Sequence, residues 1–313
     1  MALKRLKSSA LKLILFGGKG GVGKTTCATS ASIHLAEDFK TLLISTDPAH
    51  SLSDSLGQEF SGEIQEVQGV KNLSVLEINA AGALSKFKLQ HEYEIKKILD
   101  TSTYLDAEDI DSVFSLPIPG MDEVMGFRTI VDLIEEADFD KYIVDTAPTG
   151  HALRLLTLPD LLDDWIKVMA KMRWKYRYMV AAFSGKYEPD EGDNFLLGMK
   201  KTVKRIEALL RDQERCEFIA VTIPEKMAIF ETEKLIDSLR KYKIAVNQLV
   251  INNVLISGNC KFCEQKKKEQ KKYITYMKKK FKDFKITIMP LQPCDVTGLG
   301  ALGDFKELLC QQK

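Results

Sequence analysis

Between a short apolar run and a helix-forming stretch, the chain places Gly17-Gly18-Lys19-Gly20-Gly21-Val22-Gly23-Lys24-Thr25-Thr26, and Gly18 to Thr25 fits the spacing G-x-x-x-x-G-K-[ST]. Gly18, Gly20, Gly21 and Gly23 let backbone N–H groups on either side of Val22 wrap a phosphate chain. Lys24 sets a cation on the outer oxygens, and Thr25 and Thr26 open a helix whose N-terminus attracts anions, with the Thr25 hydroxyl suited to Mg²⁺. A second lysine, Lys19, sits so early in the loop that it cannot easily fold back on its own phosphate. Reaching across to a partner subunit's nucleotide is the more plausible use, and it implies a homodimer.

Two carboxylates stand where such a loop needs them. Asp47, in Ser45-Thr46-Asp47-Pro48-Ala49-His50, follows an apolar strand and precedes a proline turn, placed to orient a water. Asp145 ends the apolar run Tyr142-Ile143-Val144, where an acidic residue serves the Mg²⁺ shell. Taken singly, either could be a helix cap or a turn residue; beside the glycine-rich loop the functional reading prevails.

Cys260-Lys261-Phe262-Cys263 offers two thiolates at a spacing that fits one tetrahedral ion. The pair is equally open to a redox role, or to being half of a site completed elsewhere. The chain has neither a second such motif nor a nearby histidine pair, so a closed four-cysteine site would need a second subunit. A thioredoxin-type role fits poorly, because the motif precedes a lysine-rich helix late in the chain.

The elements that would position these groups are short β-branched runs: Leu11–Phe16, Thr41–Thr46, Leu73–Ile78, Tyr142–Val144, Phe218–Ile223, Leu249–Ile251 and Ile286–Met289. Near-continuous apolar strands are expected where helices cover both faces of a mostly parallel sheet, so the fold class is α/β, doubly wound. Two intervals, about 84–135 and 160–215, lack strands and read as an α-helical subdomain inserted into a single 1–313 domain. In the second, Trp165, Met169, Met172, Tyr176, Met179 and Phe183 recur at helical spacing. Such a stripe is more often core than groove, although soft methionines suit varied partners.

Composition narrows the classes further. The 313 residues are 45% hydrophobic and 28% charged, with a formal net charge of +1, which excludes disorder and whole-chain binding to nucleic acid. The basic N-terminus has no signal-peptide pattern, so the expectation is a cytoplasmic, reducing setting in which the six cysteines are thiols or metal ligands. The segment from Glu264 to Lys285 holds ten lysines against three acids. It reads as a solvated helix face, because Tyr273, Ile274, Met277 and Phe281 would bury the opposite side.

The loop with its extra lysine resembles the deviant Walker-A group of P-loop ATPases. The runs TDPAHSLSD and DTAPTGHALR resemble the two switches of the arsenite-pump and tail-anchored-protein-targeting ATPase family, and the similarity continues over most of the chain. The resemblance implies a P-loop fold and Mg²⁺-dependent ATP hydrolysis. In it Lys19 acts in trans with Lys24, Asp47 positions the attacking water, and Asp145 lies near magnesium. It also implies nucleotide contacts from Glu225, from Asn252 on adenine, and from Pro290, Leu291 and Gln292 packing on the base. Read from the residues alone, Asn252 is a strand-end turn residue and Pro290 a strand terminator.

For the targeting branch the resemblance implies one Zn²⁺ per dimer, shared by Cys260 and Cys263 of each subunit. It implies a composite groove for a transmembrane helix, with Met121, Met125, Trp165, Met169, Met172, Met179 and Phe183 as candidates here. Its partners would be tail-anchored transmembrane segments and a membrane receptor, with a homodimer or higher oligomer and no nucleic acid. The pump ATPases usually carry two ATPase halves and a cysteine metalloid site, whereas this chain has one P-loop and no cysteine between 28 and 215. A pump-type subunit and a redox-regulated holdase are the alternatives.

Overall fold

In the computed structural model, residues 4–46, 51–102, 106–115, 121–146, 163, 166–171, 173–174, 178, 181–182 and 189–310 are described. The chain divides into two compact units, one made of Met1–Asn79, Asp132–Leu156 and Leu209–Lys313, the other of Ala80–Val131 and Thr157–Ala208.

The first unit holds the sheet. Its strands are β1 (Leu13–Gly17), β2 (Thr41–Ser45), β3 (Gln65–Glu66), β4 (Leu73–Glu77), β5 (Lys141–Asp145), β6 (Cys216–Thr222), β7 (Val246–Val254) and β8 (Lys285–Pro290), in the order β3-β4-β2-β5-β1-β6-β7-β8. All neighbours are parallel except β3 with β4. β1, β2, β4, β5 and β6 are buried along their whole length, which is why they read as unbroken apolar runs. Register places Phe16 beside Asp145 on one side and beside Ile219 on the other, so the carboxyl ends of the central strands open together. Open α/β sheets bind ligands at that edge.

Helices α1 (Lys24–Leu35), α2 (Ser51–Leu56), α8 (Lys226–Lys241), α9 (Lys261–Lys280) and α10 (Gly298–Cys310) belong to this unit. α1 is built from small residues and is buried nearly all round. It packs on α10, where the Ser30 hydroxyl donates to the Leu302 carbonyl at 3.3 Å. Between α1 and β2, at the opposite edge from the loop, lies the sheet's base, where the structure departs from the sequence expectation. β5 starts at Lys141 instead of Tyr142, and β6 at Cys216 instead of Phe218, because two charged residues are buried there. The Lys141 ammonium donates to the carbonyls of Ser8 and, at 2.6 Å, Leu11, and lies 4.7 Å from the Phe39 ring centroid. Glu217 is faced by the Arg5 guanidinium at 3.6 Å, and burial raises its carboxyl above the usual range. The N-terminal turn Lys4–Lys7 thus plugs the base of the two central strands.

The second unit is helical: α3 (Ala80–Gln90), α4 (Glu92–Ser102), α5 (Ala107–Ser115), most of α6 (Met121–Glu136) and most of α7 (Glu191–Arg211), with the described residues from 163 to 182 also helical. Its polar keystone is Arg173, only 1% exposed, which pairs with Asp190 and, at 3.4 Å, with Asp193. His91 lies between the rings of Phe87 and Phe195, at 4.8 and 5.0 Å.

Candidate nucleotide site and cysteine pair

The loop from Gly18 to Gly23 joins β1 to α1 at the open edge of the sheet. Two of its glycines are required by their surroundings. A Cβ on Gly18 would lie 2.1 Å from the Val221 carbonyl oxygen; one on Gly23 would meet the Asn252 amide at 2.3 Å, and Gly23 has φ +91. Gly23 also caps α1 without a side chain, so the first N–H groups of the helix stay turned toward the loop, the arrangement that binds phosphate oxygens.

Lys24 is buried, and its ammonium donates to the Lys19 carbonyl at 3.4 Å across the mouth of the loop. The Thr25 hydroxyl donates to Asp145 at 2.6 Å, bringing the two oxygen groups expected near magnesium into direct contact at the ends of α1 and β5. Thr146, next in the chain, turns its hydroxyl the other way, onto the Phe16 carbonyl at 2.9 Å, and so ties the end of β5 to β1. Lys19 points out of the loop, 3.9 Å from Glu231 on α8. The sequence named neither Thr146 nor Glu231 as a functional position. The signal for Thr146 was its place directly after Asp145; for Glu231 none was available.

The expected base contacts are mixed. Asn252 is inside β7, so the expectation of a strand-end turn residue is corrected. The irregular residue is Asn253, with φ +55 at a break in register between β7 and β8. Asn252 is buried and donates from Nδ2 to the Val22 carbonyl at 3.0 Å, while its Oδ1 has no hydrogen-bond partner among the described residues. An orphaned amide oxygen beside the phosphate loop is an acceptor available to a ligand N–H. Pro290 ends β8, Leu291 is exposed and donates its N–H to the Val254 carbonyl at 2.9 Å, and Gln292 closes on the Pro290 carbonyl at 3.0 Å. Glu225 caps α8 and pairs with Lys266 at 3.2 Å. Val22 is fully buried under the loop. Gly20, Gly21 and Thr26 continue it, whereas Asp47 lies outside the described residues.

These groups suit a nucleotide with magnesium: hard oxygen donors at Thr25 and Asp145, a cation at Lys24, helix N–H groups, and an unsatisfied acceptor at Asn252.

Cys260 and Cys263 begin α9 with their sulfurs 3.1 Å apart, and the Cys263 N–H donates to the Cys260 sulfur at 3.3 Å. The Cys263 thiol and this N–H hold Cys260 below its usual range, and the same sulfur contact raises Cys263. Gly258 gives the pair room, since a Cβ there would lie 2.7 Å from the Cys263 sulfur. The donor chemistry suits half of a tetrahedral zinc site, and no cluster of three or more His, Cys, Asp or Glu able to hold a metal is found among the described residues. Three other cysteines, Cys27, Cys216 and Cys310, are held as thiols by their surroundings. Burial raises the Cys27 and Cys216 thiols far above their usual range, with Asp145 adding to the effect on Cys27, and pushes Cys310 up to about 12.

Of the groove candidates, Met121, Met125 and Met169 are described, and all three are buried. Trp165, Met172, Met179 and Phe183 lie outside the described residues. Ile166, Met169 and Arg173 are all buried on one helix face, where Arg173 pairs with Asp190 and Asp193. Among the described residues of this stretch, the exposed large apolar side chains are Val168, Trp174 and Tyr178, the last two stacked at 6.0 Å.

The parallel sheet, the phosphate loop and the Thr25–Asp145 pair define a P-loop ATPase, an ATP-hydrolysing enzyme using nucleotide and Mg²⁺. More narrowly, the chain belongs to the anion-transporting ATPase family, whose model matches residues 11–311. It is 38% identical to ATPase ASNA1 homolog 1 of Paramecium tetraurelia, covering 98% of this chain and 95% of that one. It is 36% identical to ATPase ASNA1 homolog of Dictyostelium discoideum (97% and 91%), and 32% identical to ATPase get3 of Schizosaccharomyces japonicus (97% and 94%). No described helix is long and apolar enough to cross a membrane.

Proposed function

We propose that the chain is a homodimeric, cytoplasmic targeting ATPase that holds the transmembrane segment of a tail-anchored protein on its helical unit and delivers it to a membrane receptor. The observation that carries this reading is the half-built character of the first unit. Cys260 and Cys263 supply two of the four thiolates of a closed zinc site, and Lys19 leans away from its own loop onto Glu231. Both are explained if a second copy completes the site: one Zn²⁺ per dimer, and Lys19 moving from Glu231 to the partner's nucleotide.

Within the site each residue has a defined task. Thr25 and Asp145 would hold Mg²⁺, which would supply charge neutralisation at the phosphates. Lys24 offsets charge on the outer phosphate, Asp47 orients the attacking water, and Asn252 accepts from the base through its orphaned Oδ1. Glu225 and the turn Pro290–Gln292 border the nucleotide. The client surface is supported by the large apolar side chains left in solvent on the helical unit, including Leu89, Val168, Trp174 and Tyr178.

The test is capture. Purified protein is mixed with a tail-anchored transmembrane segment made in a cell-free system, and a soluble complex that releases its client after ATP hydrolysis is expected. Failure to keep the segment soluble, in protein that hydrolyses ATP normally, rejects the targeting role. Elemental analysis finding about one zinc per monomer would reject the shared cysteine site.

A further inference from the structure

We propose that the outward face of α9 and the turn after it form a docking stripe for an anionic membrane surface. The whole chain is balanced at +1, yet the segment from Glu264 to Lys285 sets ten lysines against Glu264, Glu269 and Asp283. The helix sorts these lysines by face. Gln270 and Met277 are buried against the unit; Lys268, Lys271, Lys272, Lys278 and Lys279 fall within a sector of about 120° on the opposite side of the helix, and Lys282 follows past the helix end.

All six are exposed, and none has a carboxylate within 4.0 Å among the described residues. Their neighbours on the flanks differ. Lys266 pairs with Glu225, Lys267 donates to the Gly258 carbonyl at 2.9 Å, and Lys280 lies 3.6 Å from Glu233. Acids of the adjoining α8 therefore neutralise the edges of the helix and leave its crest bare. Like charges three and four residues apart destabilise a helix, and here they run over about 17 Å of axis, from Lys268 to Lys279. An external anionic surface removes that repulsion.

Three features select a lipid surface over an acidic peptide or an RNA. The stripe is a single convex helix face, which presents no cleft to grip a peptide. It contains only lysine and no arginine, so it offers hydrated point charges without the planar fork that reads individual carboxylates or phosphates. Tyr276, the exposed aromatic beside it, is tied by its hydroxyl to Glu233 on α8 at 2.7 Å, so no ring stands among the crest lysines for a base to stack on. Diffuse attraction to anionic headgroups needs only the number and spacing of lysines. The inference rests on the proposed delivery to a membrane and names the surface that would keep the enzyme there.

Flotation of the full chain, without client or nucleotide, tests it on phosphatidylcholine vesicles with and without phosphatidylserine. Binding is expected only with phosphatidylserine and should fall steeply with salt. The combined variant Lys268→Glu, Lys271→Glu, Lys272→Glu and Lys279→Glu should lose on the order of a hundredfold in partitioning, while the corresponding four Lys→Arg changes leave it intact; both should keep the parental ATPase rate. The proposal is overturned if the parent binds neutral vesicles equally, floats with neither, is held by polyglutamate in preference to vesicles, or if the Glu variant floats as before. Client capture in solution separates the two readings. A parent that floats but captures no transmembrane segment retains the stripe and loses the targeting role, and one that captures but does not float loses the stripe alone.

Discussion

At the carboxyl ends of β1 and β5, side chains have almost no second place to go; in the helical unit, large apolar side chains stand in solvent. A Cβ on Gly18 would lie only 2.1 Å from the Val221 carbonyl oxygen, Gly23 is held in a left-handed conformation under Asn252, and Thr25, Thr146 and Asp145 are fixed by bonds of 2.6 to 2.9 Å. By contrast, Trp174 and Tyr178 are 65% and 69% exposed, and a cleft of about 860 Å³ lined by Tyr93, Lys96, Lys97 and Asp111 opens between α4 and α5. The contrast matches the proposed tasks. Phosphate chemistry rewards groups held in place before the substrate arrives, whereas the proposed surface for many apolar sequences must repack.

The contrast can be broken hardest at the catalytic end. Asp47→Asn is expected to lower kcat by at least about a hundredfold with nucleotide affinity unchanged, because only the water-orienting carboxylate is lost. Single-turnover hydrolysis and a nucleotide-binding titration check it, and near-normal turnover would remove Asp47 from the chemistry.

In the helical unit the largest effect should come from its few fixed points. Met169→Asp buries a third carboxylate beside Arg173, whose charge Asp190 and Asp193 already match, and should destabilise the fold by about 3–5 kcal/mol, seen as a lower melting temperature. Trp174→Asp, five residues on, should change stability by less than about 1 kcal/mol and instead reduce client capture. Equal melting losses in both variants would erase the distinction between anchored and open faces.

The smallest effect concerns the base of the sheet. Burial lowers the Lys141 ammonium from its usual range to about 8. Above that pH the folded protein has released a proton that the unfolded chain keeps until about 10.5, so the unfolded state binds more protons and stability rises with pH through this window. Measured against Lys141→Met, stability of the parent should therefore increase between pH 8 and 10; a flat difference would show that the two carbonyls hold the ammonium charged throughout.

Lys141 also marks the limit of what sequence patterns reveal. The strands were legible because both of their faces are buried, leaving an unbroken apolar signature. A lysine or glutamate inside such a strand breaks the signature, and its compensation comes from distant residues, Ser8 and Leu11 for Lys141 and Arg5 for Glu217, that no local pattern connects. The phosphate loop was legible residue by residue because its spacing encodes its geometry. The Asn252–Val22 contact was not, since it joins positions 230 residues apart. The methionine stripe was visible as a period, but periodicity does not say which side faces inward. The burial of Met169 beside Arg173 rests on Asp190 and Asp193 packing against that guanidinium, which no period in the sequence reveals.

The bond from Asn252 to the Val22 carbonyl has a consequence for anyone wishing to alter nucleotide preference. The side chain proposed to read the base also braces the loop that grips the phosphates. Replacing it to favour another base would loosen the loop at the same stroke, so altered preference and weakened grip would arrive together. A workable route would keep this asparagine and recut the rim at Leu291 and Gln292, where the chain is open and the loop is not disturbed.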